Sequence, residues 1–289
     1  MPQSQGWRIL VATDGSDGAR RAIEALPRLP VPDGTAVRVV TVVDTRSELP
    51  ETISAHRRAA EAALESSRNR LEKMGCRPSS AALEGPPAMT IIGEAGAWNA
   101  TAILLGARGL GKVSGMALGS VSSAVARAAP CSVFVIKKDL ATLKLLAAVD
   151  ASEHGPGAAR QLASLPTRGA PVTVLRVIEP PYIKSYRLLP SKAAELVRAE
   201  IAAATRELEA AARAQVDALV AEFKRTGWKA AGVVRAGVPV REIKAMAARS
   251  RATLVSIGAR GTTGLERLLL GSVSEALLAT PGLSLYIGR

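Results

Sequence analysis

Ile103 to Ser122 reads ILLGARGLGKVSGMALGSVS, and Val255 to Ser274 reads VSIGARGTTGLERLLLGSVS. The two stretches align without a gap at a constant offset of 152, so the chain contains an internal repeat. Arg8–Asp14, RILVATD, and Lys144–Asp150, KLLAAVD, match in the same way at an offset of 136. The second copy therefore carries 16 more residues (152 − 136) between its two signatures. A seam falls in the turn-like stretch Lys138 to Leu143, which predicts one domain over residues 1–140 and a second over 141–289.

Working outward from the signatures, strand-like and helix-like segments alternate in each copy. In the first, Arg8–Thr13, Ala36–Val43, Ser79–Leu83, Ala102–Gly106 and Ser132–Ile136 read as strands; Asp17–Leu29, Glu51–Met74, Pro87–Trp98 and a segment opening near Gly119 read as helices. The second repeats the order, with strands at Leu145–Val149, Val172–Val177, Lys229–Val234, Thr253–Ile257 and Leu283–Ile287. Strands joined through helices must pair in parallel, because a hairpin cannot supply the crossover. The expected fold is α/β: two tandem domains, each a five-stranded parallel sheet flanked by helices. Most of the 16 additional residues fall between Pro180 and Phe223, where Val197, Ile201, Ala204, Leu208 and Ala211 share one face of a lengthened helix that is expected to pack on its own sheet.

Composition sets outer limits. A chain of 289 residues is long enough for two domains that each bury a core. Net charge is +13, with 17 basic against 13 acidic residues in 1–140 and 21 against 12 in 141–289. Aromatic residues make up only 3%, and no basic cluster alternates with rings that could stack on bases, so a nucleic-acid partner is not expected. Met1 to Trp7 lacks a signal-peptide pattern and the apolar runs are too short to cross a bilayer, which points to the cytoplasm and to no membrane partner. Cys76 and Cys131 have no metal-ligand spacing.

The repeated glycine signature, G-x-x-G, nine residues, then G-S, carries the chemistry: Gly106, Gly109, Gly119 and Ser120 in one copy, Gly258, Gly261, Gly271 and Ser272 in the other. It begins where a buried strand ends, and open parallel sheets bind ligands beyond their strands' carboxyl ends. A helix opening at Gly119 or Gly271 presents unpaired N–H groups and the positive end of its dipole, a surface suited to phosphate. Asp14 and Asp150 stand at the end of another strand, where a carboxylate either caps the next helix or accepts from a ligand's hydroxyl or amine. Gly106 to Val113 nearly matches a P-loop, but Val113 replaces the magnesium-binding hydroxyl and the second copy has no lysine to match Lys112. Of the two histidines, His56 is expected on a helix surface, and His154 has Gly18 as its counterpart in the first copy; no acid–base pair recurs.

With these motifs in place the chain resembles a tandem member of the universal stress protein family over nearly its whole length, and the signature is similar to that of the family's ATP-binding branch. The resemblance implies Rossmann-like domains of the adenine nucleotide alpha hydrolase type. It further implies an adenosine site of Asp14, Val42 and Leu105, with phosphate contacts from Gly106, Gly109, Gly119, Ser120, Val121 and Ser122. The matching set in the second copy is Asp150, Val177, Ile257, Gly258, Gly261, Gly271, Ser272, Val273 and Ser274. The cofactor implied is ATP, ADP or AMP, with Mg2+ held by the phosphates. The function implied is nucleotide-binding regulation in stress adaptation, with slow ATP hydrolysis or nucleotidyl transfer as the alternative. In the family the last strands pair, so Ser132–Ile136 and Leu283–Ile287 are expected to join the halves as an internal pseudo-dimer, with a further homodimer left open. Ala12 and Ala148 stand where relatives often carry proline, and Ala151 replaces the glycine of the Asp14-Gly15-Ser16 triplet.

Overall fold

The computed structural model describes residues 6–46, 50–109, 118–152, 155–165, 167, 169–181, 191–259 and 270–289. The first half runs β1 (Arg8–Ala12), α1 (Asp17–Ala25), a 3-10 turn (Leu26–Arg28), β2 (Ala36–Val43), α2 (Pro50–Lys73), β3 (Ser79–Glu84), α3 (Pro87–Ala97), β4 (Ala102–Gly106), α4 (Ser120–Ala128) and β5 (Ser132–Ile136). The second runs β6 (Leu145–Val149), α5 (Gly157–Ala163), β7 (Pro171–Ile178), α6 (Ser191–Arg225), β8 (Lys229–Ala236), α7 (Pro239–Arg249), β9 (Leu254–Gly258), α8 (Ser272–Leu278) and β10 (Leu285–Gly288).

The sheets of the two halves do not stay separate. They merge into one ten-stranded sheet in the order β3-β2-β1-β4-β5-β10-β9-β6-β7-β8. Pairing within each half is parallel, as the crossovers demand. At the centre β5 and β10 pair antiparallel, Phe134 facing Tyr286, so the last strands join as expected. Helices cover both faces and give two apolar cores. One contains Val11, Val39, Leu71 and, from α6, Val216, Leu219 and Phe223. The other contains Leu10, Val40, Ile91, Val125, Ile243 and Leu277.

The helix face proposed for α6 is corrected by its packing. Ala212, Val216, Leu219 and Phe223 are buried, whereas Leu208 is 40% exposed and Ala211 is exposed. The 3-4 spacing was right but the phase was not: past Ala204 the sheet-facing stripe shifts by one residue, because it must follow the edge of β8. With 35 residues against 24 in α2, α6 takes up most of the additional length.

At the junction, cations are exchanged between halves. Lys137, just past β5, donates through Nζ to the carbonyls of Leu278 and Thr280 at the end of α8, the latter at 2.8 Å. Arg289, at the same place past β10, donates through Nη2 to the carbonyls of Ala126 and Arg127 at the end of α4, at 2.6 and 2.8 Å. Both meet the negative ends of helix dipoles and satisfy carbonyls that lack intrahelical partners. Their backbone N–H groups donate to Ser284 Oγ (3.0 Å) and Ser132 Oγ (3.2 Å), completing a pseudo-twofold exchange. Arg127 and Glu275 add a bidentate pair at 2.7 and 2.9 Å. The Tyr286 ring lies 4.7 Å from that of Phe134, and its buried hydroxyl donates to Gln161 Oε1 and lies 3.1 Å from Ser132 Oγ.

Burial pulls the Lys137 ammonium down to about 8, below its ordinary 10.5. Between those two values the unfolded chain binds more protons at this site than the folded one, so this group's contribution to stability rises with pH across that window. The denaturant midpoint of the native chain is therefore expected to climb, relative to that of Lys137→Met, between pH 8 and 10. Parallel pH courses for the two proteins would show that Lys137 stays charged where it is buried.

Candidate functional site

The strand order reverses direction across β1: β2 lies on one side and β4 on the other, so the segments leaving β1 and β4 diverge above the sheet. A crevice at such a switch point is a property of the topology. In the first half it is lined by Asp14 to Ser16 after β1, by Ala107 to Gly109 after β4 and by the first turn of α4; in the second half the matching pieces come from β6, β9 and α8.

The first crevice is held by backbone packed against backbone. A Cβ on Gly18, in the first turn of α1, would stand 2.0 Å from the Arg108 carbonyl oxygen, and one on Gly106 would stand 2.3 Å from the Gly18 carbonyl carbon. Neither can carry a side chain without moving a main chain. Ser16 caps α1 by accepting from Ala19 N at 3.2 Å, and its hydroxyl donates to the Arg108 carbonyl at 3.2 Å. The cap is thus Ser16, and Asp14 is not needed for it. Asp14 Oδ1 accepts from Ser16 N at 3.0 Å, while a Cβ on Gly109 would stand 2.2 Å from Asp14 Oδ2. Gly109 therefore lets the second loop close on the exposed carboxylate at the end of β1.

Across the crevice, α4 begins with a glycine cap that offers no side-chain acceptor. Gly119 N is spent on the Ala107 carbonyl at 2.8 Å, and the first intrahelical bond is Ser123 N to Gly119 O at 2.9 Å. The amides of Ser120, Val121 and Ser122 lie ahead of that bond, in the turn where a helix has no internal acceptors. Ser120 is exposed; Ser122 is buried and its hydroxyl donates to the Gly106 carbonyl at 2.7 Å, tying the helix start to the end of β4. In the second half Ser274 does the same to Gly258 at 3.0 Å, Glu275 N bonds Gly271 O at 2.9 Å, and Ser272 is exposed with Val273 behind it. A phosphate at either place would meet main-chain donors, with Ser120 or Ser272 supplying a hydroxyl.

Leu105, Val177 and Ile257 are buried in the core beneath the crevices and Val42 packs partly against it, so these four can face a ligand only through strand-end backbone and the edge of Val42. Asp150 Oδ1 accepts from both Ser152 N (2.9 Å) and Ser152 Oγ (2.6 Å), and Gln215 Nε2 donates to the Asp150 carbonyl at 2.9 Å. Gly261, His154 and Lys112 lie outside the described residues. His56 is exposed on α2, as expected. Among the described residues no three His, Cys, Asp or Glu side chains gather as metal ligands, and no helix is long and apolar enough to cross a membrane.

Two parts of this framework escaped the motif reading. Gly18 belongs to no motif, although its lack of a side chain decides how close α1 comes. The second is a repeated Gly-x-Pro turn, Gly85-Pro86-Pro87 and Gly237-Val238-Pro239, again at an offset of 152. These glycines have φ of +131° and +150°, and their amides donate to Val43 O and Ile178 O at 3.0 Å each. The turns start α3 and α7 beside the ends of β2 and β7; their constant offset is the signal the sequence offers.

Comparison with known proteins agrees with this fold. The sequence profile of the Universal stress protein family matches residues 7–137 and again 142–281. The chain belongs to the universal stress protein family. It is 34% identical over 134 residues to a universal stress protein of Thermus aquaticus, covering 45% of this chain and 97% of that protein. A stretch of 42 residues is 50% identical to a universal stress protein of Methanocaldococcus jannaschii, a quarter (25%) of that relative's length. Among solved structures, a universal stress protein from Archaeoglobus fulgidus is similar over 99% of both chains, at 21% identity and a TM-score of 0.71. One from Pseudomonas aeruginosa is similar over 98% of this chain and 93% of its own, at 19% identity and a TM-score of 0.62. At these identities the structural similarity shows a shared fold alone.

The copies of this universal stress protein differ in how tightly the crevice is built. A Cβ on Gly258 would meet only the Gly155 carbonyl, at 3.9 Å, where one on Gly106 would overlap α1. Gly106→Ala is expected to lower stability by about 1–3 kcal/mol through overpacking, and Gly258→Ala to change it by less than about 0.5 kcal/mol. Chemical denaturation of the two variants checks this; equal losses would contradict the difference in packing.

Proposed function

We propose that this universal stress protein binds an adenine nucleotide, ATP or its di- or monophosphate, in each half and acts as a regulatory protein of stress adaptation. The observation that carries the reading is the pairing, within one crevice, of two unlike surfaces. One is the first turn of α4, where the amides of Ser120, Val121 and Ser122 follow a glycine cap; this surface takes an anion. The other is the exposed Asp14 carboxylate held against Gly109, an acceptor for ribose hydroxyls or an adenine amine. A ligand with phosphate at one end and hydrogen-bond donors at the other is complementary to both.

In this reading Gly106, Gly109 and Gly119 let the main chain approach the phosphates, while the strand-end backbone of Val42 and Leu105 borders the base. Asp150, Val177, Ile257, Gly258, Gly261, Gly271, Ser272, Val273 and Ser274 take the same parts in the second half. Magnesium, where present, is held by phosphate oxygens and water, because its preferred shell is oxygen-rich and only partly protein.

Isothermal titration of the whole chain with ATP, adenosine and inorganic phosphate tests the proposal. ATP is expected to bind more tightly than either fragment, and Asp14→Ala to weaken the first site about tenfold or more, the value of a hydrogen bond to a charged group. Absence of heat with ATP would overturn it. Ser120→Ala is expected to have a smaller effect than Asp14→Ala, since main-chain amides remain in place.

A further inference from the structure

The halves exchange Lys137 and Arg289 reciprocally, but one ion pair at the same junction has no pseudo-symmetric counterpart. Arg127, in the last turn of α4, donates from Nε and Nη2 to Glu275 Oε1 and Oε2 at 2.7 and 2.9 Å. The repeat offset of 152 matches Glu275 with Ser123 and Arg127 with Ala279. Ser123 and Ala279 cannot form an ion pair, so the contact is made once, from the first half into the second.

Its end point is the first turn of α8. Glu275 N closes the first intrahelical bond, to Gly271 O at 2.9 Å, and the amides of Ser272, Val273 and Ser274 precede it. The carboxylate therefore springs from the same helical turn, about 5 Å of rise, as the main-chain donors that suit a phosphate. Hydrogen bonds from Arg127 hold its carboxyl below the ordinary carboxylate range, so it is charged at neutral pH. A fixed anion in that turn interacts favourably with the helix dipole and repels a second anion brought to the same place. In the first half the matching position carries the neutral hydroxyl of Ser123.

As a tie between halves the pair is weak. The Arg127 and Glu275 side chains are 50% and 35% exposed, and ion pairs so placed contribute little to stability. As a correction of charge it is well aimed: Arg289 fixes the Arg127 main chain by donating to its carbonyl at 2.8 Å, and the guanidinium meets both oxygens of the carboxylate. We infer that Arg127 is a positioning residue for the second crevice. By holding and neutralising Glu275, it lets the first half set how strongly α8 attracts the phosphates of its ligand. The inference rests on the nucleotide reading above and adds a one-way dependence to it: the second crevice draws a compensating charge from the first half, and α4 carries no acidic residue at the matching place.

The test is calorimetry on the full chain in an Asp14→Ala background, which weakens the first site and so sets it apart from the second. There Arg127→Met is expected to weaken ATP binding at the second site about fivefold, as for one unit charge left uncompensated at ~8 Å with an effective dielectric constant of ~40. Adenosine affinity is expected to stay within about twofold, since adenosine carries no charge for Glu275 to repel. The loss of ATP affinity is expected to shrink at high ionic strength. Adding Glu275→Gln to Arg127→Met is expected to restore ATP binding, because the uncompensated charge goes with it; thermal unfolding verifies that each variant is folded. Unchanged ATP affinity in Arg127→Met overturns the inference. So does an equal loss for ATP and adenosine, which marks a packing role, or a double variant no better than the single one. A native chain that binds no ATP fails differently, since it removes the nucleotide reading itself.

Discussion

The site in each half depends on one constraint: parallel strands need crossovers, and a sheet that grows in both directions from its first strand sends the crossovers on its two sides to opposite faces. β1 pairs with β2 on one side and β4 on the other, so α1 and α4 stand on opposite faces and their connecting loops part above the sheet. Everything chemical gathers in that gap. The carboxylate of Asp14 comes from one side and the amides of α4 from the other, and neither would face the other in a sheet that grew in a single direction. Gly18, Gly106 and Gly109 then set the gap's width, because each is a place where a side chain would strike backbone or carboxylate.

Much of this was legible in the sequence because duplication supplies its own control. Strand bounds at Ala102–Gly106, Ser132–Ile136 and Leu145–Val149 agree with the elements found, since sharp composition changes flank them. The site signature stood out because four positions kept their spacing while the residues between them changed. What the sequence withheld depends on three-dimensional context. The phase of α6 could not be read, because a helix rich in alanine has several nearly equivalent stripes and only the edge of β8 selects one. The identity of the α1 cap was also hidden: Asp14 and Ser16 are both good caps by type, and only the turn geometry gives the work to Ser16. Gly18 went unseen because its constraint comes from Arg108, 90 positions along the chain.

The copies have kept their framework and diverged in its details. α1 opens three residues after Asp14, whereas α5 opens seven after Asp150, and no side chain caps it. The longer route loosens the contact that Gly18 and Gly106 make in the first half and leaves Gly258 uncrowded. Polar residues have also entered the second core: Tyr286 replaces Phe134, and Ser256, buried at 1% exposure, replaces Leu104. Tyr286 finds Gln161 and Ser132, whereas the Ser256 hydroxyl has no partner among the described residues. A hydroxyl buried without a partner costs stability, so Ser256 carries a local penalty that its counterpart Leu104 does not.

The antiparallel meeting of β5 and β10 also governs how the assembly responds to dilution. A sheet edge left bare is an invitation to any passing strand, and here each half's most apolar edge is covered by the other's. Because both belong to one polypeptide, the partner arrives at an effective concentration set by the tether and not by the amount of protein in the cell. The doubled architecture is therefore a unimolecular property, kept at the lowest expression level, and the exchange of Lys137 and Arg289 between halves is made once, at folding.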